Sequence, residues 1–215
     1  MNVISLQVGR PRDVESHGRT ITTSISKSPV EGRVRVGPTG IEGNQQADLT
    51  VHGGPNKAVY VYPSEHYASW RRELPDLDLP WGAFGENLTT EGLLETEVCI
   101  GDRLHIGSAD FVVIQPRMPC FKLGVRFGRD DMVKRFLQSR RSGFYLGVLR
   151  EGEIGRGDAI TFTSRAAGSV SVTDVVNLYV EDVDDVNLHR RALAAPGLPE
   201  KWTDHFRERL AALGA

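Results

Sequence analysis

Phe111-Val112-Val113-Ile114-Gln115-Pro116-Arg117-Met118-Pro119-Cys120-Phe121-Lys122-Leu123 is the stretch on which the reading of this chain turns. Its apolar opening, Phe111 to Ile114, reads as a buried strand. Two prolines then fix φ on either side of the turn and force the backbone out of any sheet ladder just before a thiol. Arg117 and Lys122 bring positive charge close to Cys120 in sequence, and neighbouring cations favour the anionic form of a sulfur. A stiff, electropositive turn at a strand end is suited to presenting sulfur to a ligand, although an isolated cysteine is more often a small buried hydrophobe.

The segments around it point to a mainly β domain. Met1 to Val8, Gly32 to Val36, Ala58 to Tyr62 and Phe144 to Arg150 read as strands, while Gly9 to Lys27 is polar with isolated apolar residues. Glu97 to Gly107 predicts two short strands around the Gly101-Asp102 turn, and Gly157-Asp158 repeats that turn before Ala159 to Phe162. Such corners suit an all-β barrel. Short helices are predicted from Glu65 to Leu74, with Ser64 as N-cap, and from Asp130 or Asp131 to Ser139. The composition shifts near Ser164 to Gly168. Beyond it, helical spacing predicts three helices, at about 173–180, 186–194 and 199–213, the last with an apolar stripe of Trp202, Phe206, Leu210 and Leu213. The expected division is therefore a barrel over residues 1–164 and a three-helix domain over 165–215. Fifty residues are marginal alone, so the helices are expected to dock on the barrel or on a second copy, which makes a homodimer an expectation too.

Composition narrows the function classes. The chain has 215 residues, 40% hydrophobic and 25% charged, and a formal net charge of -2, which gives no reason to expect nucleic acid as a partner. No apolar run approaches the roughly 18 residues of a membrane helix. Two cysteines, Cys99 and Cys120, make no disulfide framework, and with no signal peptide evident a reducing cytoplasm is the expected location.

Three features can converge at strand ends: the cation-flanked Cys120, His52 beside Gly53-Gly54-Pro55 with Lys57 just past that turn, and the Gly85-Glu86-Asn87 loop. A glycine pair lets backbone N–H groups approach an anion, to which Lys57 adds charge. A Cys nucleophile with His52 as base suits acyl or thiol chemistry. A thiolate metal ligand fits equally well. Zinc is disfavoured, because no CxxC or HxxxH spacing supplies four ligands. One protein thiolate does suffice for a metal already chelated by an organic cofactor. Spacing alone leaves these readings open.

The segment from Gln115 to Leu123 resembles the cysteine signature of the MOSC family, named for the C-terminal domain of molybdenum-cofactor sulfurases. Val51 to Tyr60 is similar to that family's histidine segment, Gly85-Glu86-Asn87-Leu88-Thr89 to its Gly-Glu-Asn loop, and Ile100-Gly101-Asp102 to its Gly-Asp turn. Leu198-Pro199-Glu200-Lys201-Trp202 resembles the three-helix appendage of YiiM-type members. The resemblance implies a MOSC-type β-barrel that binds molybdenum cofactor in its molybdopterin form. It implies Cys120 as the thiolate on molybdenum, and Arg117, Lys122 and Lys57 as contacts to phosphate and pterin. It further implies Gln115, Glu86 and Asn87 as polar pocket walls, and His52 as a proton donor, with Cys120, His52 and Arg117 forming the catalytic set. The implied activity is reduction of N-hydroxylated compounds such as hydroxylaminopurines, fed by a separate electron-donor reductase, because no flavin, haem or iron–sulfur motif is visible. Other readings are a non-enzymatic carrier of the cofactor or of sulfur, and metal-free cysteine chemistry. One departure stands out: Gly147 occupies a position where many relatives are expected to carry Arg.

Overall fold

The computed structural model describes residues 1–48, 53–181 and 184–215. From the N-terminus the strands are β1 (Asn2–Val8), β2 (Arg12–Ser16), β3 (Arg19–Thr23), β4 (Ser28–Pro29), β5 (Arg33–Gly37), β6 (Gly40–Ile41) and β7 (Val59–Pro63). Then come β8 (Leu88–Glu91), β9 (Arg103–Ile106), β10 (Ala109–Pro116), β11 (Phe144–Arg150), β12 (Gly152–Gly155) and β13 (Ile160–Ser164). The helices are α1 (Glu65–Glu73), α2 (Phe121–Phe127), α3 (Met132–Ser139), α4 (Val172–Val180), α5 (Val186–Leu193) and α6 (Glu200–Ala212).

The apolar strands assemble one eight-stranded sheet in the order β13-β9-β10-β11-β7-β8-β1-β4. All its pairs are antiparallel except β7 with β8. The chain is mainly β, as expected, but the predicted closed barrel is not formed. Among the described residues the two ends of the sheet meet only where β1 begins, at the bridge between Asn2 and Ala159 and hydrogen bonds such as Val3 N–H to Asp158 O at 3.0 Å. The ladder stops there for a local reason. The second half of that edge of β1 is taken by β4, whose Pro29 has no N–H to donate.

Four further expectations are corrected. Residues 97–100 form no strand but turns and a single bridge of Cys99 to Ser171, because the Asp102 carboxylate accepts from Cys99 N–H at 2.8 Å and curls the chain back. The polar segment Gly9 to Lys27 contains a hairpin, β2–β3, held by register from Arg12–Thr23 to Ser16–Arg19. Cys120 is not followed by an extended turn: it is the extended residue before α2, a seven-residue helix closed by left-handed Gly128. Asp131 does precede α3, but its carboxylate pairs with Arg129 and Arg135 instead of capping backbone N–H groups.

The three C-terminal helices lie close to the predicted spans, and α4 opens with a reciprocal cap between Ser171 and Asp174. Their apolar faces share a core with the sheet: Val172, Val175, Leu178, Trp202 and Phe206 pack in one cluster with Leu104, Phe111, Val113 and Leu146. Trp202, Phe206 and Leu210 of the α6 stripe are buried within the chain, while Leu213 is half-buried. Trp202 Nε1–H donates to Gln115 Oε1 at 2.8 Å, while Gln115 Nε2–H donates to Asn56 O at 3.0 Å. Trp202→Phe should keep the packing but orphan a buried amide oxygen, at a cost of about 1–2 kcal/mol. A urea midpoint unchanged from wild type would show that this link contributes nothing.

Candidate functional site

An open cleft of about 700 Å³ is walled by four stretches that are distant in sequence. One follows β3, from Thr23 to Ile25, with Lys27. A second runs from Asn44 to Ala47, with Gly53 and Lys57 nearby. Tyr60, Phe84, Gly85 and Asn87 make a third, and Arg117, Met118, Cys120, Lys122 and Tyr145 the fourth. The β10–β11 ladder shifts register between Val113 and Gln115, resumes at Gln115 with Tyr145 and Pro116 with Phe144, and the chain leaves the sheet after Pro116. That exit carries Arg117 and Cys120 into the cleft wall.

Arg117 is the unusual residue there. Only 5% exposed, its guanidinium lies 5.5 Å from the Tyr60 ring centroid and 4.9 Å from that of Phe136. The ring faces stabilise a charge removed from water. Among the described residues its buried Nη1 has no hydrogen-bond partner, and neither does Ser24 Oγ, which also lines the cleft. A buried polar group of this kind is open to a water, an ion or a ligand. Cys120 is half-buried in the same cleft and makes no disulfide with Cys99. Burial pushes Lys57 below the usual lysine range, Lys201 on α6 lowers it further, and the Cys120 sulfur acts in the opposite sense. Burial raises the Tyr145 hydroxyl, with Arg117 opposing.

Among the residues singled out from sequence, the fold gathers Cys120, Arg117, Lys57, Lys122 and Asn87 around this space. Two others sit behind it. Glu86 is fully buried and accepts hydrogen bonds from Tyr67 O–H, Gly82 N–H at 2.8 Å, Phe84 N–H at 3.1 Å and Thr89 O–H at 3.0 Å. The carboxylate thus folds its own loop, and burial raises its pKa above the ordinary carboxylate value. Gln115 joins β10 to α6 and to Asn56, as described above. Asn87 has a double position: it borders the cleft while its amide bridges Tyr60 N–H at 3.1 Å and Gln7 O at 3.2 Å. His52 lies outside the described residues. At Gly147 a Cβ would stand 3.2 Å from Ile114 side-chain atoms and from Pro55 O, so an Arg there would have to displace both.

Lys27 escaped the sequence reading, and no local pattern marks it. Its stem threads between two glycines: a Cβ on Gly9 would lie 2.9 Å from Lys27 Cδ, and one on Gly82 3.1 Å from Lys27 Cβ. The ammonium donates to Asn44 Oδ1 at 2.6 Å, an oxygen that also accepts Gly9 N–H at 3.0 Å. Burial lowers its pKa to about 8, partly offset by Glu86. Lys27→Met should therefore stabilise the protein at pH 7, by about 2 kcal/mol after allowance for partial solvent access. Above pH 8 the folded chain releases this proton while the unfolded chain keeps it to about 10.5, so wild-type stability rises with pH and the advantage of the variant closes. Urea melts at pH 7 and pH 10 check this, and a gap that does not change between them refutes it.

The MOSC domain family model matches residues 48–161, and a YiiM-like, 3-alpha helix domain model matches residues 170–213. The chain belongs to the MOSC family. This MOSC protein is of the YiiM type, with 34% identity to Protein YiiM of Escherichia coli (strain K12) over 189 residues, covering 87% of the chain and 84% of the relative. It is 40% identical to Uncharacterized protein YflK of Bacillus subtilis (strain 168) over 205 residues, covering 95% and 92%. The crystal structure of YiiM from Geobacillus stearothermophilus superposes with a TM-score of 0.81 at 34% identity, covering 97% of this chain and 98% of that one. A protein of Gibberella moniliformis named "Reductase" is 36% identical over 196 residues, which are 90% of this MOSC protein but only 35% of the fungal chain.

Proposed function

We propose that the protein is a molybdenum-cofactor-dependent reductase of N-hydroxylated compounds, hydroxylaminopurines among them. The observation that carries this reading is the meeting of Cys120 with the buried, half-unpaired guanidinium of Arg117 in one cationic cleft. The donor set suits an anionic, pre-chelated metal. Arg117, Lys57, Lys122 and Lys27 supply positive charge and N–H donors for a phosphate, and Tyr60 and Tyr145 supply aromatic walls for a flat ring system. A metal that brings its own chelate needs only one protein ligand, the sulfur of Cys120.

When bound, the cofactor supplies the two-electron redox chemistry. Overall, R–NHOH takes two electrons and two protons and gives R–NH2 and water. The chain itself anchors, orients and supplies protons. Asn44 holds Lys27 at the wall, and an acid of pKa about 8 is well matched to proton delivery near neutral pH. His52 remains the donor that the family resemblance implies. The electrons come from a separate protein.

The test is turnover. Protein made in a molybdate-fed host and given reduced methyl viologen should convert 6-hydroxylaminopurine to adenine. Bound molybdenum with no conversion would instead mark a cofactor carrier.

A further inference from the structure

The cleft has a strongly basic shoulder. Between residues 117 and 141 the chain places eight arginines and lysines against two aspartates, although its net charge is -2. Most of them sit on α2 and α3 or the turns that flank them, the arm that begins immediately after Cys120. Some of this charge is locally matched: Asp131 pairs with Arg129 and Arg135, Glu181 with Arg140, and Glu73 with Arg141. A positive excess remains even so, with Lys134 exposed. At the cleft end of the arm stands Phe121, 61% exposed, more than any other large apolar side chain among the described residues. An exposed aromatic side chain on an arm with a surplus of cations is the composition of a small recognition patch.

We propose that the face from Phe121 to Arg135 is the docking surface for the electron-donating protein, whose own contact face is acidic around an apolar centre. This rests on the reductase reading above, which requires such a donor. Opposite charge steers encounter and sets orientation, while transient redox contacts stay small enough to release after each transfer. Since Phe121 adjoins Cys120, a donor seated there delivers electrons at the mouth of the cleft. Each turnover takes two, so a fully reduced flavin on the donor becomes oxidised as one N–O bond breaks.

The triple variant Phe121→Ser, Lys134→Glu, Arg135→Glu tests this with two electron sources. Reduced methyl viologen, a small cation that needs no docking face, should support the variant at the wild-type rate or above. With flavodoxin, an acidic FMN protein, as the probe donor, kcat/KM should fall at least tenfold at low ionic strength. The wild-type rate with flavodoxin should drop as salt is added, and the variant's should stay nearly flat. Equal flavodoxin rates for the two proteins overturn the proposal. Absence of viologen turnover in both marks failure of the reductase reading instead, and binding then decides the surface. Oxidised flavodoxin added to the 15N-labelled chain should shift amide signals between Phe121 and Arg135. Shifts elsewhere, no shifts, or sedimentation showing that this face joins two copies of the chain overturn it.

Discussion

Replacing Cys120 with alanine is expected to strip molybdenum from protein produced in a molybdate-fed host and to abolish reduction of an N-hydroxylated base. The loss should be on the order of a thousandfold or more, about 4 kcal/mol of barrier, because the cysteine sulfur of the cleft is removed. The fold should survive, since Cys120 is half-buried and stands just outside α2, with little packing to lose. Cys99→Ala is the control. Its sulfur lies beside Asp102 and Arg165, away from the cleft lining, and burial raises its pKa. Metal analysis and assay together check the result. A Cys120→Ala protein with a full complement of molybdenum would sink the proposed anchoring, and full activity without metal would favour plain cysteine chemistry.

Glu86→Ala should be the most destabilising of the single changes considered, by about 3–5 kcal/mol. Tyr67 O–H, Thr89 O–H and the amide of Phe84 lose their acceptor inside a closed loop, and Gly82 N–H is left with Tyr67 Oη alone at 3.1 Å. Gly82 and Gly85 hold φ of 88° and 86° so that this loop can wrap the carboxylate, which leaves it no other compact arrangement. Glu86→Gln keeps an acceptor oxygen and should lose less. The pH dependence has an unusual sign. Because the folded pKa is raised, wild type should gain on the glutamine variant as pH falls from the raised value to about 4.5, the reverse of a salt-bridged carboxylate. Loss of the loop would also reshape the cleft through Phe84 and Asn87, so activity should fall with stability. Thermal melts of the three proteins across pH 4 to 7 check both statements.

What was legible in advance follows from the range of the forces involved. The N-terminal strand, Phe144 to Arg150, and the spans of α1, α3, α4, α5 and α6 were within reach because period-2 and period-3.6 patterns and caps are encoded within a few residues. The hairpin β2–β3 was not, since its strands alternate weakly and are mostly solvent-facing. Nor was α2, whose interior Gly124 and terminal Phe121 disguise a short helix. Motif order brought Cys120, Arg117, Lys57 and Lys122 into one list. It could not separate them from Glu86 and Gln115, whose hydrogen bonds run to Tyr67 and Trp202 through packing that only the folded chain creates.

By itself, then, the sequence determined most of the element types, the family and the sulfur with its cationic neighbours, because propensity, periodicity and motif residues are local. Only the tertiary structure decided that the sheet stays open at Pro29, that Lys27 threads between Gly9 and Gly82 into the cleft, and that Arg117 lies buried with one nitrogen unmatched. Those outcomes depend on desolvation and on partners far apart in the chain, which no spacing of residue types records.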